Sequence, residues 1–147
     1  MEYTQGKLGR VFVARLHEGE SVYVAVEEIA NKENIESAAV LAVGGIRSGK
    51  VVTGPESPTG KLVPHYEEFN DARELVGVGT LFRREGKPDL HFHAGMGRGT
   101  ESLVGCPRAG MAVYLIMEIV IIELAGVDAE RVLDEETGAH LLRIAGV

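Results

Sequence analysis

The feature that most restricts this fold is a run of fourteen residues, Met111-Ala-Val-Tyr-Leu-Ile-Met-Glu-Ile-Val-Ile-Ile-Glu-Leu124, the longest apolar stretch in the chain. It is too short for a helical membrane span, which needs about 20 apolar residues. Its Val and Ile content favours a strand. Side chains of a strand alternate between faces, so Met111, Val113, Leu115, Met117, Ile119 and Ile121 share one side. The opposite side carries Ala112, Tyr114, Ile116, Glu118, Val120 and Ile122. Both faces are therefore apolar apart from Glu118. One helix can cover only one of them. The other needs a neighbouring subunit or a sheet folded over on itself, because large bare apolar patches are rare on monomers.

Only one such helix is visible. Val22, Ala25, Val26, Ile29 and Ala30 follow the helical period, Ser21 suits an N-cap, and Glu27, Glu28 and Lys32 take the outer side. This predicts a helix from about Ser21 to Asn34. Elsewhere the helical period is missing. Leu8–Leu16, Ser37–Val43, Lys50–Thr53, Glu74–Phe82 and Asp89–Ala94 read as strands, with a turn at Arg84–Lys87. Gly54–Gly60 reads as an irregular loop and Gly95–Gly99 as a flexible one. The fold class expected is α+β, one domain over residues 1–147.

The charge balance narrows the partners. Fifteen Lys and Arg against 22 Asp and Glu leave a net charge of −7, which opposes non-specific attraction to nucleic acid or anionic lipid. The single cysteine, Cys106, excludes an intramolecular disulfide. With no basic-then-apolar leader in the first residues, the expected location is a reducing, cytoplasmic one.

Leu90-His-Phe-His93 carries the sharpest chemical signal. In a strand, His91 and His93 project from one face about 6.5–7 Å apart along the chain, and two imidazoles there can converge on one metal. A half-exposed strand that happens to carry histidines has the same pattern. Cys106 adds a third donor across a glycine-rich segment that can return the chain beside the histidines. Two imidazoles and a thiolate suit zinc and leave one position open. A lone cysteine is otherwise a small buried hydrophobe. The same trio matches part of a blue-copper set, which the reducing compartment disfavours. His65 is a rival or fourth ligand, while His17 and His140 read as surface residues.

Glu118 needs a partner in its apolar strand, either Arg47, Arg98 or Arg108 in an ion pair, or a metal nearby. Arg83, Arg84 and Lys87 form a basic cluster at a hairpin tip. Two glycine patterns are decoys. Gly44-Gly-Ile-Arg-Ser-Gly-Lys50 lacks the hydroxyl residue and the following helix of a phosphate loop, having Val51 next. Gly95-x-Gly97-x-Gly99 likewise opens no helix.

Taken in order, several stretches resemble the PPC (plants and prokaryotes conserved) domain. They are Gly9–Leu16, the helix after Gly19-Glu20, Ala39–Ile46, Gly86–His93, Met117–Ile121 and Asp134–Gly138. The resemblance implies a curved antiparallel sheet on one main helix, assembled as a homotrimer. It also implies a metal held by the His-x-His pair and a third ligand in a Gly-Gly-His-Leu segment. That segment aligns with Val104-Gly-Cys-Pro107, so the implied zinc ligands are His91, His93 and, as a substituted ligand, Cys106. Plant proteins with this domain are DNA-associated through a separate Arg-Gly-Arg-Pro-type hook, which this sequence does not contain. The fold is further similar to that of acetolactate decarboxylase. The expected function is thus a zinc-binding, homotrimeric binding or regulatory module with a weak DNA association. The alternative is a metal-dependent lyase or hydrolase acting on small molecules.

Overall fold

Val22, Val26 and Ala30 recur every fourth residue and are fully buried, forming the apolar stripe of α1 (Val22–Lys32). Ser21 precedes the helix in extended conformation but makes no side-chain capping bond. Glu27 departs from expectation. It turns inward and accepts a hydrogen bond from the Leu90 amide at 3.2 Å. The computed structural model of the chain describes residues 1–108 and 111–145. Among these residues, β1 (Lys7–His17) precedes the helix, and β2 (Ala38–Pro55), β3 (Pro64–Phe69), β4 (Arg73–Arg84), β5 (Lys87–Arg98), β6 (Glu101–Pro107), β7 (Ala112–Ala125), β8 (Ala129–Leu133) and β9 (His140–Ile144) follow it. The architecture is mostly β-sheet with one short helix, and α1 lies against β5 and β7.

β2 organises the sheet. Its first half pairs with β7 on one side and β4 on the other, as in Leu41↔Val120 and Leu41↔Val78. Its second half leaves both and pairs instead with β3 and with β6, through Val51↔Pro107 and Val52↔Cys106. Since β4 pairs with β5 and β5 with β6, the strands β2, β4, β5 and β6 close into a ring. All these ladders are antiparallel, and only β4–β8 is parallel, at Arg83↔Glu130. The core includes Val40, Ile46, Leu75, Leu81, Phe92, Met96, Met117 and Ile119. Gly105 makes the closure sterically possible, because a Cβ there would lie 2.3 Å from the Val52 carbonyl oxygen.

Three expectations are corrected by this topology. The strands expected over Ser37–Val43 and Lys50–Thr53 are parts of one long strand, β2, which begins at Ala38 and also contains the Gly44–Lys50 decoy. Of the loop expected over Gly95–Gly99 only Gly99 lies in a turn: β5 runs to Arg98, with Gly95 paired to both Val76 and Val104. Glycines are tolerated here because the ladders on both sides hold the backbone extended. In β7, Leu115 takes φ +63° and is exposed rather than lying with Val113 and Met117. Gly44 faces Met117 but Gly45 faces Tyr114, so Leu115 and Ile116 form a bulge between them.

The remaining face of the sheet is bare. One row of register partners runs Val13, Val120, Leu41, Val78, His93. The next runs Arg15, Glu118, Val43, Val76, Gly95, Val104. Val13, Val43, Val76, Val78 and Val104 are all exposed. Glu118 lies on this solvent face opposite Arg15, in place of the expected Arg47, Arg98 or Arg108. Arg47 pairs with Glu18 and Arg98 with Asp71 instead.

Candidate metal centre

β5 divides its side chains by parity. Leu90, Phe92, Ala94 and Met96 are buried, while His91 and His93 stand on the outer face. Phe92 is fully buried and packs over Gly77, where a Cβ would come within 2.1 Å of the ring. The ring is also met edge-on by Tyr23 of α1, with centroids 6.3 Å apart. This packing fixes the strand's rotation and thereby points both imidazoles the same way. Their Nε2 atoms are 3.0 Å apart.

Cys106 reaches the pair from β6. The ladder β5–β6 ends at Ala94↔Gly105, so the next step places Cys106 beside His93. The thiol is buried, and one ligand atom each from His91, His93 and Cys106 all lie within 4.8 Å of one another. Zinc ligands about 2.0–2.3 Å from a tetrahedral ion are about 3.3–3.6 Å apart from each other. The donor set therefore fits a single small cation with side-chain adjustment alone. Tyr23 supports it from behind: its hydroxyl donates to the Pro107 carbonyl at 2.5 Å. Burial, followed by the neighbouring Cys106, pushes the Tyr23 hydroxyl pKa well up, so it stays a protonated donor.

The surroundings of His91 favour its neutral form. Desolvation first, then the neighbouring positive charge of Arg131, holds its pKa below the usual imidazole value. A neutral imidazole is the form that coordinates a metal. His65 is not part of this group. Its Nδ1 lies 3.0 Å from Glu56 and its Nε2 3.3 Å from Glu67, and those carboxylates raise its pKa. His17 and His140 are exposed, as read from the sequence.

A cleft of about 370 Å³ opens on the donor trio and is walled by Val52, Leu62, Val104 and Arg108. A second cleft of about 410 Å³ adjoins it through His91, Leu62 and Arg108, which line both. Arg84, Asp89 and Arg131 lie in the second. The sequence marks Arg84 as part of a basic cluster at a hairpin tip and singles out neither Arg131 nor Asp89. No local pattern marks them, because β8 brings Arg131 to β4 from about fifty residues away, where it donates to Thr80 at 3.0 Å.

Several solved structures share the course of nearly the whole chain. A metal-containing protein from Archaeoglobus fulgidus superposes with a TM-score of 0.86 at 24% identity, covering 97% of this chain and 99% of its own. A plant- and prokaryote-conserved protein from Pyrococcus horikoshii gives 0.81 at 22% identity, with both chains covered fully. A Ralstonia eutropha protein provisionally named as DNA-binding gives 0.75 at 21%, with 90% of each chain covered. At these identities the likeness concerns the fold. No curated protein sequence matches the chain. Among the described residues, no helix is long and apolar enough to cross a membrane. The family model for the Plants and Prokaryotes Conserved (PCC) domain, the PPC domain named above, matches residues 3–125, and the chain belongs to that family.

Proposed function

We propose that this protein is a homotrimeric zinc-binding module of the cytoplasm, with the metal held by His91, His93 and Cys106. The convergence of three donor atoms within 4.8 Å, supplied by the consecutive antiparallel strands β5 and β6, carries the reading. His91 and His93 would ligate through Nε2 and Cys106 through its thiolate. Bound zinc would act as a Lewis acid with one open position. Phe92 orients the imidazoles and Tyr23 backs the β6 segment. The bare apolar face supports self-association, because covering it removes Val13, Leu41, Val43, Val76 and Val78 from water.

Metal analysis of natively purified protein tests the assignment. About one zinc per chain is expected in the wild type and a small fraction of that in the His91→Ala/His93→Ala double variant. Equal content in both would refute it.

A second reading is favoured by the cleft of about 370 Å³ that opens on the donors, which is large enough for a small molecule. In that reading the protein is a metal-dependent lyase or hydrolase. Turnover in a small-molecule screen that survives a chelator would count against it. Binding to DNA is the least supported reading. The chain has net charge −7, and Arg10, Arg47, Arg73, Arg98 and Arg143 are each engaged by carboxylates. Undetectable binding at low salt, where phosphate contacts are strongest, would end it.

A further inference from the structure

The second cleft has a charge pattern opposite to that of the whole chain. Three arginines, Arg84, Arg108 and Arg131, line it together with a single carboxylate, Asp89. Asp89 already serves two of them, at 3.5 Å from Arg84 Nη1 and 3.3 Å from Arg131 Nε. Glu27, which holds the Leu90 amide, is outside the cleft wall. Arg108 has no carboxylate partner among the described residues.

Arg131 is the most informative of the three. Its side chain is only 5% exposed, yet its Nε has no hydrogen-bond partner of good geometry. Nη2 is committed to the Thr80 carbonyl and hydroxyl, both at 3.0 Å. The guanidinium also stacks over Phe82, 5.6 Å from the ring centre. These contacts lock a buried cation in place with part of its donor set unused. A buried charge that is only partly paired is costly and calls for an anion. The planar fork of a guanidinium matches a carboxylate or phosphate.

The position of the cleft gives the ligand a second end. His91 and Arg108 form the shared wall between the arginines and the candidate metal donors. We infer that the cleft binds a small oxyanion, a carboxylate or phosphate group held by Arg108, Arg131 and Arg84, on a molecule whose other end reaches the metal site. The metal end of this ligand rests on the zinc reading above, and the arginine end stands without it. The combined space fits a metabolite-sized molecule.

Calorimetric titration of metal-free and zinc-loaded protein with inorganic phosphate and, separately, with malonate tests the inference. Saturable binding of at least one anion to the metal-free protein is expected, and the tighter of the two identifies the class. Arg108→Gln and Arg84→Gln, both at exposed positions, should each weaken it by about tenfold or more without loss of folding. No saturable binding of either anion, or binding that Arg108→Gln leaves unchanged, would overturn the assignment. Zinc content measured on the same samples keeps the two proposals apart. A protein that lacks zinc but binds phosphate at Arg108 loses only the metal reading, whereas one that holds zinc and ignores both anions loses this one.

Discussion

The two faces of β5 divide its work at single-residue resolution. Phe92 is fully buried, yet His91 and His93 on either side of it stand on the outer face. The inner face is settled within the chain by α1, Gly77 and the closed ring of strands. The outer face leaves valines and a leucine bare beside the imidazoles. Packing on one side thus provides the rigidity that aims side chains on the other, and under the proposed function a metal at one end and another copy over the valines would finish the outer side.

The largest expected effect breaks the inner side. Phe92→Ala removes the ring against which Gly77 and Tyr23 pack, and should destabilise the fold by about 3–5 kcal/mol in denaturant titration. Zinc affinity should fall with it, since the histidines lose their common orientation. Gly77→Ala overpacks the same contact, its Cβ arriving 2.1 Å from the ring, and should cost about 1–3 kcal/mol. Thermal melts of these variants beside His91→Ala sharpen the comparison, because removing an exposed outer-face histidine should leave metal-free stability nearly unchanged.

Leu41→Glu probes the bare face. Leu41 is 43% exposed and lies in register between Val120 and Val78. A carboxylate there is solvated in a single chain but buried in an assembly. Association should weaken more than tenfold, at least about 1.4 kcal/mol, read as a fall in mass by sedimentation with circular dichroism unchanged. A wild type that already sediments as a monomer when dilute would remove the trimer.

Much of this division was legible beforehand because it depends on period two. The alternation of His91 and His93 with Leu90, Phe92 and Ala94 needs only a strand, and the two apolar faces of β7 require only their own sequence. What stayed hidden depends on contacts between distant segments. Nothing local says that β2 changes partners midway, or that Gly105 lets β6 approach it. Leu115 escapes alternation because a bulge turns it outward, its amide bonded to Glu18. Glu118 needed no arginine in the core, since its face of the strand is open to solvent. Arg131 joins the cleft only through tertiary pairing, and a lone arginine in a short strand carries no pattern.

The smallest effect concerns the sheet edge. Arg10 donates to Glu123 through Nε and Nη2, both at 2.8 Å, and its amide adds a third bond. These bonds hold the Glu123 carboxyl at about 2, below the ordinary glutamate value of about 4.3. The pair therefore contributes stability at pH above about 4.3, and the contribution disappears as pH falls toward 2. Arg10 is half exposed, so the effect should be under about 1 kcal/mol. Glu123→Gln should lower the midpoint of unfolding slightly at neutral pH and flatten its dependence between about pH 4 and 2.

Crystallography with anomalous data collected on both sides of the zinc edge tests the central claim most directly. A single anomalous peak is expected about 2.0–2.1 Å from the Nε2 atoms of His91 and His93 and about 2.3 Å from Cys106 Sγ. A map without a peak, in which the imidazoles and the thiol turn away from one another, would contradict it.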